Sequence, residues 1–513
     1  MKFRKMLSLI LAGMMITASL AACGSNAAEN GDSTAGNSAG SSANTPVKQD
    51  AYTVKILMLD EGKTEDVNLV AQTASKITEA KFNTTIELRR VGWGTWAQQV
   101  NLILASGEKL DLFPAFALNS SLASLAATGQ IIELDSLLET KGQETLKAIS
   151  EGDWKCDSIN GKIYGVPFNK GKQNVVGAAV DKTLADQLQI DYKKITDLKT
   201  LGEALAKVKA AHPEMYPLAS SNGKMSVVLP ADGLGDSRDS VLGGLENAFS
   251  DSTKVVNIYE SEGYKNYVKT MYDWAKKGYI MPDASSNTES GENLIKAGVS
   301  FANLYTGPAP DTEARLSREI GKPIVDCVLV QPFGTTSETS PCWSIPANSE
   351  KPERAMEILN EMYTNKELAN IFINGIEGKH YVFKDKEKGV IDYPEGINAG
   401  NAGYNVTAWA WPNMQLSYVW NGYPEDVYEK YEVFNSSGHP SPAYGFSFDN
   451  TAVLNEVTAC SNVVSKYVNA LNCGSLDPDK YLSKFNKDLK DAGIDTIITE
   501  KQKQLDAWLA EQK

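Results

Sequence analysis

The stretch from Asp50 to Leu134 switches repeatedly between two hydrophobic periods, and that switching limits what the chain can fold into. Tyr52-Thr-Val-Lys-Ile-Leu-Met-Leu59 is almost continuously apolar beyond Lys55, as a strand covered on both faces would be. Val67, Val70, Ala71, Ala74 and Ile77 then recur at helical spacing. Thr85-Ile-Glu-Leu-Arg89 alternates as a second strand. Trp96, Val100, Ile103 and Leu104 form the next helical stripe, with Gly107 placed to end it. Leu110-Asp-Leu-Phe113 is a third short strand stopped by Pro114, and Ser121 to Ala127 is helical before Ile131-Ile-Glu-Leu134. Strands and helices in this order predict a parallel sheet with helices on both faces.

In open sheets of that kind, ligands bind beyond the carboxyl ends of the strands. The rule selects three loops: Asp60-Glu61-Gly62, Val91-Gly-Trp93-Gly-Thr-Trp96 and Pro114-Ala-Phe116-Ala-Leu-Asn119-Ser120. Two of them set aromatic rings beside small or hydrogen-bonding residues, the mixture that lines ligand pockets. Trp93, flanked by glycines, suits binding and loop packing equally; Trp96 opens a helix and suits the core better.

Farther along, Asn160-Gly-Lys-Ile-Tyr-Gly-Val-Pro167 predicts a hairpin turn leading into a strand, and Asn174 to Val180 is another apolar strand. Residues 231–244 form a polar, glycine-rich loop. Its Gly-x-Gly follows no clear strand and lacks the third glycine in phase, which excludes a dinucleotide fingerprint. Gly298 to Tyr305 returns to strand, with the stiff loop Tyr305-Thr-Gly-Pro-Ala-Pro310 after it. A further strand, Ile324 to Val330, precedes Ser340-Pro-Cys-Trp343-Ser-Ile-Pro346. Aromatics crowd residues 399–423, among them Trp409, Trp411 and Trp420, and beyond Asn450 the chain reads as helical and charged.

The amino terminus carries an address. Lys2, Arg4 and Lys5 precede an apolar run from Met6 to Leu20, and Leu20-Ala-Ala-Cys23 follows. This is the layout of a signal peptide over residues 1–22, and the run is shorter than the ~20 apolar residues of a membrane span. A cysteine directly after the small residues resembles a bacterial lipobox, which implies that Cys23 is diacylglycerated and opens the mature chain. Two or more acyl chains hold a protein stably at a membrane surface. Residues 23–49, rich in Gly, Ser, Asn, Ala and Thr without apolar period, then read as a flexible tether. The remaining body exceeds a single domain of ~100–200 residues, so two lobes are expected.

The formal charge is −14, from 50 basic and 64 acidic residues, and loss of Lys2, Arg4 and Lys5 makes it more negative. Such a surface argues against nucleic acid and against anionic lipid as partners. With Cys23 lipidated, the other five cysteines cannot all pair. Cys460 with Cys473 and Cys327 with Cys342 both stay open as pairings, and neither has C-x-x-C spacing. The three histidines show no metal-ligand spacing, and no metal or other cofactor is predicted.

Several segments together resemble a family. Val91-Gly-Trp-Gly-Thr-Trp-Ala-Gln-Gln99, Leu104-Ala-Ser-Gly-Glu-Lys-Leu-Asp-Leu112 and Ile132-Glu-Leu-Asp-Ser-Leu-Leu138 are similar to the early region of family 1 extracellular solute-binding proteins. Asn160-Gly-Lys-Ile-Tyr-Gly-Val-Pro-Phe168 and Trp274-Ala-Lys-Lys-Gly-Tyr-Ile-Met-Pro-Asp283 match the same family. Gly375-Ile-Glu-Gly-Lys-His-Tyr381 and residues 449–513 look like a long branch with an extra C-terminal domain, associated with oligosaccharide-type ABC importers.

The resemblance implies an α/β, two-lobed periplasmic-binding-protein-like fold of type II, each lobe a mostly parallel sheet flanked by helices. It implies discontinuous lobes joined by hinge strands, with crossovers expected near Pro167, Gly298 and Gly334. Lobe 1 would be 50–166 and 299–334, lobe 2 would be 167–298 and 335–448, and 449–513 would pack on both as a helical region. A monomer held by Cys23 would capture a solute, an oligosaccharide or sugar derivative, and deliver it to ABC permease subunits without chemistry. The candidate ligand-binding residues are Glu61, Trp93, Trp96, Phe116, Asn119, Tyr305, Trp343, Trp409 and Trp411. Trp409-Ala-Trp-Pro-Asn413 departs from the Trp-Gly-Asn-Gln form of this branch, so the solute class stays open. Two rival readings remain. A secreted glycan-cleaving enzyme would need a facing pair of carboxylates, and no catalytic motif sets one. A ligand-presenting lipoprotein would serve a membrane sensor in place of a permease.

Overall fold

The computed structural model describes residues 49–512 apart from 61–63, 117–120, 237–239, 308–309 and 340. Glu61, Asn119, Cys23, the leader and the tether up to residue 48 therefore lie outside the described residues. In chain order, β1 (Tyr52–Asp60), α1 (Val67–Phe82), β2 (Thr84–Gly92), α2 (Trp96–Ser106) and β3 (Phe113–Ala115) come first. β4 (Val166–Pro167), β5 (Gln173–Asp181), β6 (Leu218–Ala219), α3 (Glu262–Lys276), β7 (Ala302–Thr306) and β8 (Ile324–Gly334) follow. Then come β9 (Cys342–Ser344), α4 (Pro352–Thr364), α5 (Lys366–Asn374), β10 (His439–Pro440), α6 (Leu454–Asn472), α7 (Pro478–Asp491) and α8 (Ile494–Glu511).

β1 and β2 pair in parallel from Tyr52 with Thr84 to Asp60 with Gly92, as the alternation predicts. α1 crosses between them and ends at Asn83, which adopts the left-handed conformation that a helix C-cap favours. Its buried hydroxyls are used: Thr78 Oγ1 donates to the Thr84 carbonyl at 2.6 Å, and Ser75 Oγ accepts from the Ile86 amide at 2.9 Å. Asp111 is fully buried and accepts from the Tyr52 hydroxyl, the Lys55 amide and the Ser349 hydroxyl, so its charge is met on three sides. Beside this pair, β9 runs antiparallel to both β3 and β4. Gly165 leads into β4, and a Cβ there would collide with the Cys342 thiol, so the close approach of β4 to β9 depends on glycine.

A separate sheet has five strands in the order β10, β8, β5, β7, β6. β5 is antiparallel to both neighbours, while β7 and β8 run the same way and straddle it. β6 and β10 add on in parallel at the edges, so the sheet is mixed.

Among the described residues two large hydrophobic cores result beside three smaller clusters, and the chain passes between the two large ones more than once. Residues from Val54 to Phe168 and from Cys342 to Trp411 share one core. Residues from Ala178 to Leu329 and from Ala443 to Leu505 share the other. The expected crossing at Gly298 is corrected: Ile295 and Phe301, on either side of it, both pack against β5 residues. The expected division is corrected with it, since 299–334 joins the sheet of β5 and 342–411 joins the core of β1 and β2. An apolar strand carries no mark of the sheet it will enter; register with β5 decides it for β7 and β8.

α6, α7 and α8 pack Leu471, Phe485 and Leu505 into the second core beside Tyr267 and Met271 of α3. From α8, Lys501 reaches the glycine-rich 231–244 loop, where its ammonium donates to Asp236 Oδ2 at 2.8 Å and to the Gly243 carbonyl at 2.9 Å. Cys156, Cys327, Cys342, Cys460 and Cys473 are all free and buried, so neither open pairing is made.

Candidate functional site

Three strand ends of the first core deliver aromatic rings to one place. Trp93 follows β2 directly, Phe116 follows β3, and Phe168 follows β4. The fourth ring, Trp409, sits in the 3-10 turn Ala408–Ala410. That turn is fixed to the residue after Phe168. The Asn169 amide donates to the Pro412 carbonyl at 2.8 Å, and Asn169 Nδ2 donates to Asn413 Oδ1 at 2.9 Å. Asn413 Nδ2 in turn donates to the Tyr363 carbonyl in α4 at 2.9 Å.

Phe116 lies at the centre of the group. Its ring centroid is 5.2 Å from Trp93, 5.1 Å from Trp96, 5.8 Å from Trp409 and 5.9 Å from Phe168. Trp93 and Trp409 stand 6.2 Å apart, edge to face. Geometries of this kind are the favourable ones for aromatic pairs. Exposure divides the rings into an outer and an inner layer: Trp93 keeps 45% of its surface and Trp409 37%, while Phe116 and Phe168 are buried beneath them. Large aromatics held this open normally mark a contact surface.

Trp96, Trp343 and Trp411 prove to be core residues, which corrects their place among the candidates. Trp343 is 1% exposed, and Trp411 stacks between Trp343 at 5.8 Å and Phe372 at 4.9 Å. Trp96 lies buried under Phe116. Trp96 and Trp343 pack against Phe116 and Phe168, and Trp411 lies one layer deeper on Trp343. Tyr305 is not brought to the cluster. It belongs to β7 and packs on Leu316 and Ile320, where burial and then the Asp326 carboxylate push its hydroxyl well above the usual range. Burial likewise pushes Asp326 up to about 6. Glu61 and Asn119 belong to undescribed loops next to β1 and β3. Phe168 is the ring that sequence reasoning missed, although it stands just past a strand end, as Trp93 and Phe116 do.

An outer pair of indoles on a rigid aromatic base can pack flat apolar faces of a ligand, and nothing in those rings titrates. Among the described residues, no group of three His, Cys, Asp or Glu side chains is placed to hold a metal ion. No helix of the described residues is long and apolar enough to cross a membrane.

Comparison with known proteins adds the following. Residues 72–377 match the family described as bacterial extracellular solute-binding protein, and residues 442–510 match a domain of unknown function (DUF3502). A carbohydrate ABC transporter substrate-binding protein of Streptococcus pneumoniae serotype 4 (strain ATCC BAA-334 / TIGR4) is 28% identical over 502 residues, covering 97% of each chain. The crystal structure of the N-glycan transport solute-binding protein NgtS from Streptococcus pneumoniae superposes with a TM-score of 0.79 at 26% identity, over 90% of this chain and 100% of that one. The same protein in complex with Man5GlcNAc gives a TM-score of 0.73 at 26% identity, over 90% and 99%. Its complex with Man1GlcNAc gives 0.75 at 25% identity, over 90% and 100%.

Proposed function

The chain belongs to the bacterial extracellular solute-binding proteins and has the α/β fold of their type II members, and from that premise we propose that it captures an oligosaccharide for an ABC importer. The observation that carries this reading is the exposed pair Trp93 and Trp409 over buried Phe116. Sugar rings have apolar C–H faces that pack on indole and hydroxyl rims that need polar partners. Glu61 and Asn119, from the loops beside β1 and β3, are the proposed rim. The ligand is held between the two lobes and handed unaltered to the permease subunits. The chain acts as a monomer, held at the extracytoplasmic face of the membrane by acyl groups on Cys23, the first residue of the 23–49 tether. The names of the pneumococcal relatives, and the glycans bound by one of them, support a sugar over other solutes.

Man1GlcNAc and Man5GlcNAc are accordingly the first probes. Calorimetric titration of residues 49–513 should show saturable binding, a raised melting temperature, and recovery of the probe intact by mass spectrometry. Recovery as shortened products, or no binding of either glycan, refutes the reading. For the anchor, Cys23→Ser should move the chain from the membrane fraction to the medium; retention in the membrane fraction counts against it.

A further inference from the structure

We propose that Phe249, with Gln331 and His439, forms a second sugar-contacting face on the other core, which takes the far end of the oligosaccharide held on Trp93 and Trp409. The proposal rests on the function given above. Phe249 is 39% exposed, a large aromatic left open on a tight turn. Asn247 fixes that turn: its side chain accepts from the Phe249 amide at 3.0 Å, and its carbonyl accepts from the Ser250 amide and hydroxyl. Neighbouring Ala248 is wholly buried among Val176, Val330 and Phe333. The exposed ring is thus presented from a rigid base, its centroid 5.4 Å from buried Phe333 and 5.9 Å from the exposed His439 imidazole. One open aromatic over one buried aromatic repeats the arrangement of Trp409 over Phe116.

β8 supplies the polar partner. Val330 pairs with Val176 and Phe333 with Asn174, so β8 carries one extra residue there and its register shifts. Gln331 lies inside that bulge and is exposed. Bulges recur beside sites because they re-aim a side chain away from the ladder. An exposed carboxamide two residues before Phe333, on which Phe249 packs, offers a donor and an acceptor to sugar hydroxyls.

Position joins the two faces. Phe333 pairs with Asn174 on one side and His439 on the other. Asn174 is six residues beyond Phe168, which touches both Phe116 and Trp409. Six residues of extended chain span at most about 22 Å. The two aromatic faces therefore flank the same crossing of the chain, one on each core.

Probe length provides the test. Titrate residues 49–513 and the variants Phe249→Ala and Gln331→Ala with Man1GlcNAc and Man5GlcNAc. Phe249→Ala should weaken the longer glycan about tenfold, and Gln331→Ala should weaken it severalfold. Each should shift the shorter glycan much less, so that the affinity ratio of the two probes falls. An unchanged ratio in both variants overturns the second face while leaving the function standing. If the parent chain binds neither glycan, the function fails and the second face fails with it. Both side chains are exposed, so melting temperatures near that of the parent establish that the variants fold.

Discussion

Replacing Lys501 by methionine tests how the C-terminal helices are held to the second core. Lys501 is 0% exposed, and its ammonium donates to Asp236 Oδ2, to the Gly243 carbonyl and, at 3.5 Å, to the Gly233 carbonyl. Methionine preserves most of the packing against Phe448, whose ring centre is 4.9 Å from the ammonium, and removes the charge and all three donors. Breaking a buried ion pair from one side costs ~3–5 kcal/mol. Asp236 keeps 21% of its side chain exposed, so some solvation survives and the loss should lie near 3 kcal/mol.

The penalty should also depend on pH. Burial raises the Asp236 pKa, and the Lys501 charge is the main influence holding it down. A carboxyl whose folded pKa is raised binds its proton more tightly when folded. Its contribution to stability is therefore lost as pH climbs out of the ordinary carboxylate range through the folded pKa. Without Lys501 that window extends upward, so the deficit should be largest near about pH 7.5 and shrink near about pH 5. Calorimetry of parent, Lys501→Met and the double variant Lys501→Met/Asp236→Asn at both pH values measures it. The double variant should recover much of the loss at the higher pH. A deficit under about 1 kcal/mol, or one equal at both pH values, refutes the reasoning.

Trp409→Ala should lower Man5GlcNAc affinity roughly 30-fold, ~2 kcal/mol, by calorimetric titration; wild-type affinity would remove Trp409 from the binding face. Trp343→Ala should destabilise the first core by ~3–5 kcal/mol, whereas Trp343→Phe should be mild because the buried indole N–H has no partner to lose. Equal losses in a denaturation series would contradict that assignment to the core. Asp157 is fully buried with the Cys342 thiol beside its carboxylate, and burial pushes its pKa well above the usual carboxylate range, with Cys342 and Lys172 lowering it in part and Asp153 raising it. Stability should fall as pH rises through that window, so Asp157→Asn should raise the melting temperature at neutral pH and flatten its slope against pH; an unaltered slope would count against it.

What the chain reveals before folding is its local pattern. The apolar run of β1, the stripe of α1 and the strand-end rule suffice to find Trp93 and Phe116, because each depends only on near neighbours in sequence. Exposure depends on distant ones. Trp409 and Trp411 are two residues apart, yet one lies open and the other is sandwiched by Trp343 and Phe372 from other segments. Nothing in the composition of 399–423 separates them. The same holds for Phe168, whose partners Phe116 and Trp409 come from stretches of chain nearly 300 residues apart, and for β7 and β8, whose sheet is chosen by register with β5.

Interleaved cores bear on how such a molecule is made. β3 and β4 remain unzipped until β9 arrives, and α1 lacks its α5 neighbour until residue 374 has emerged, by which time most of the other half has already been synthesised. Pairings so remote along the chain form slowly, and unpaired strand edges are sticky while they wait. Severing the polypeptide anywhere between residues 168 and 342 would leave two fragments, neither able to complete the first half alone. Biogenesis of this molecule is a race in which the earliest segments to appear must be kept from wrong partners until nearly the last ones have been delivered.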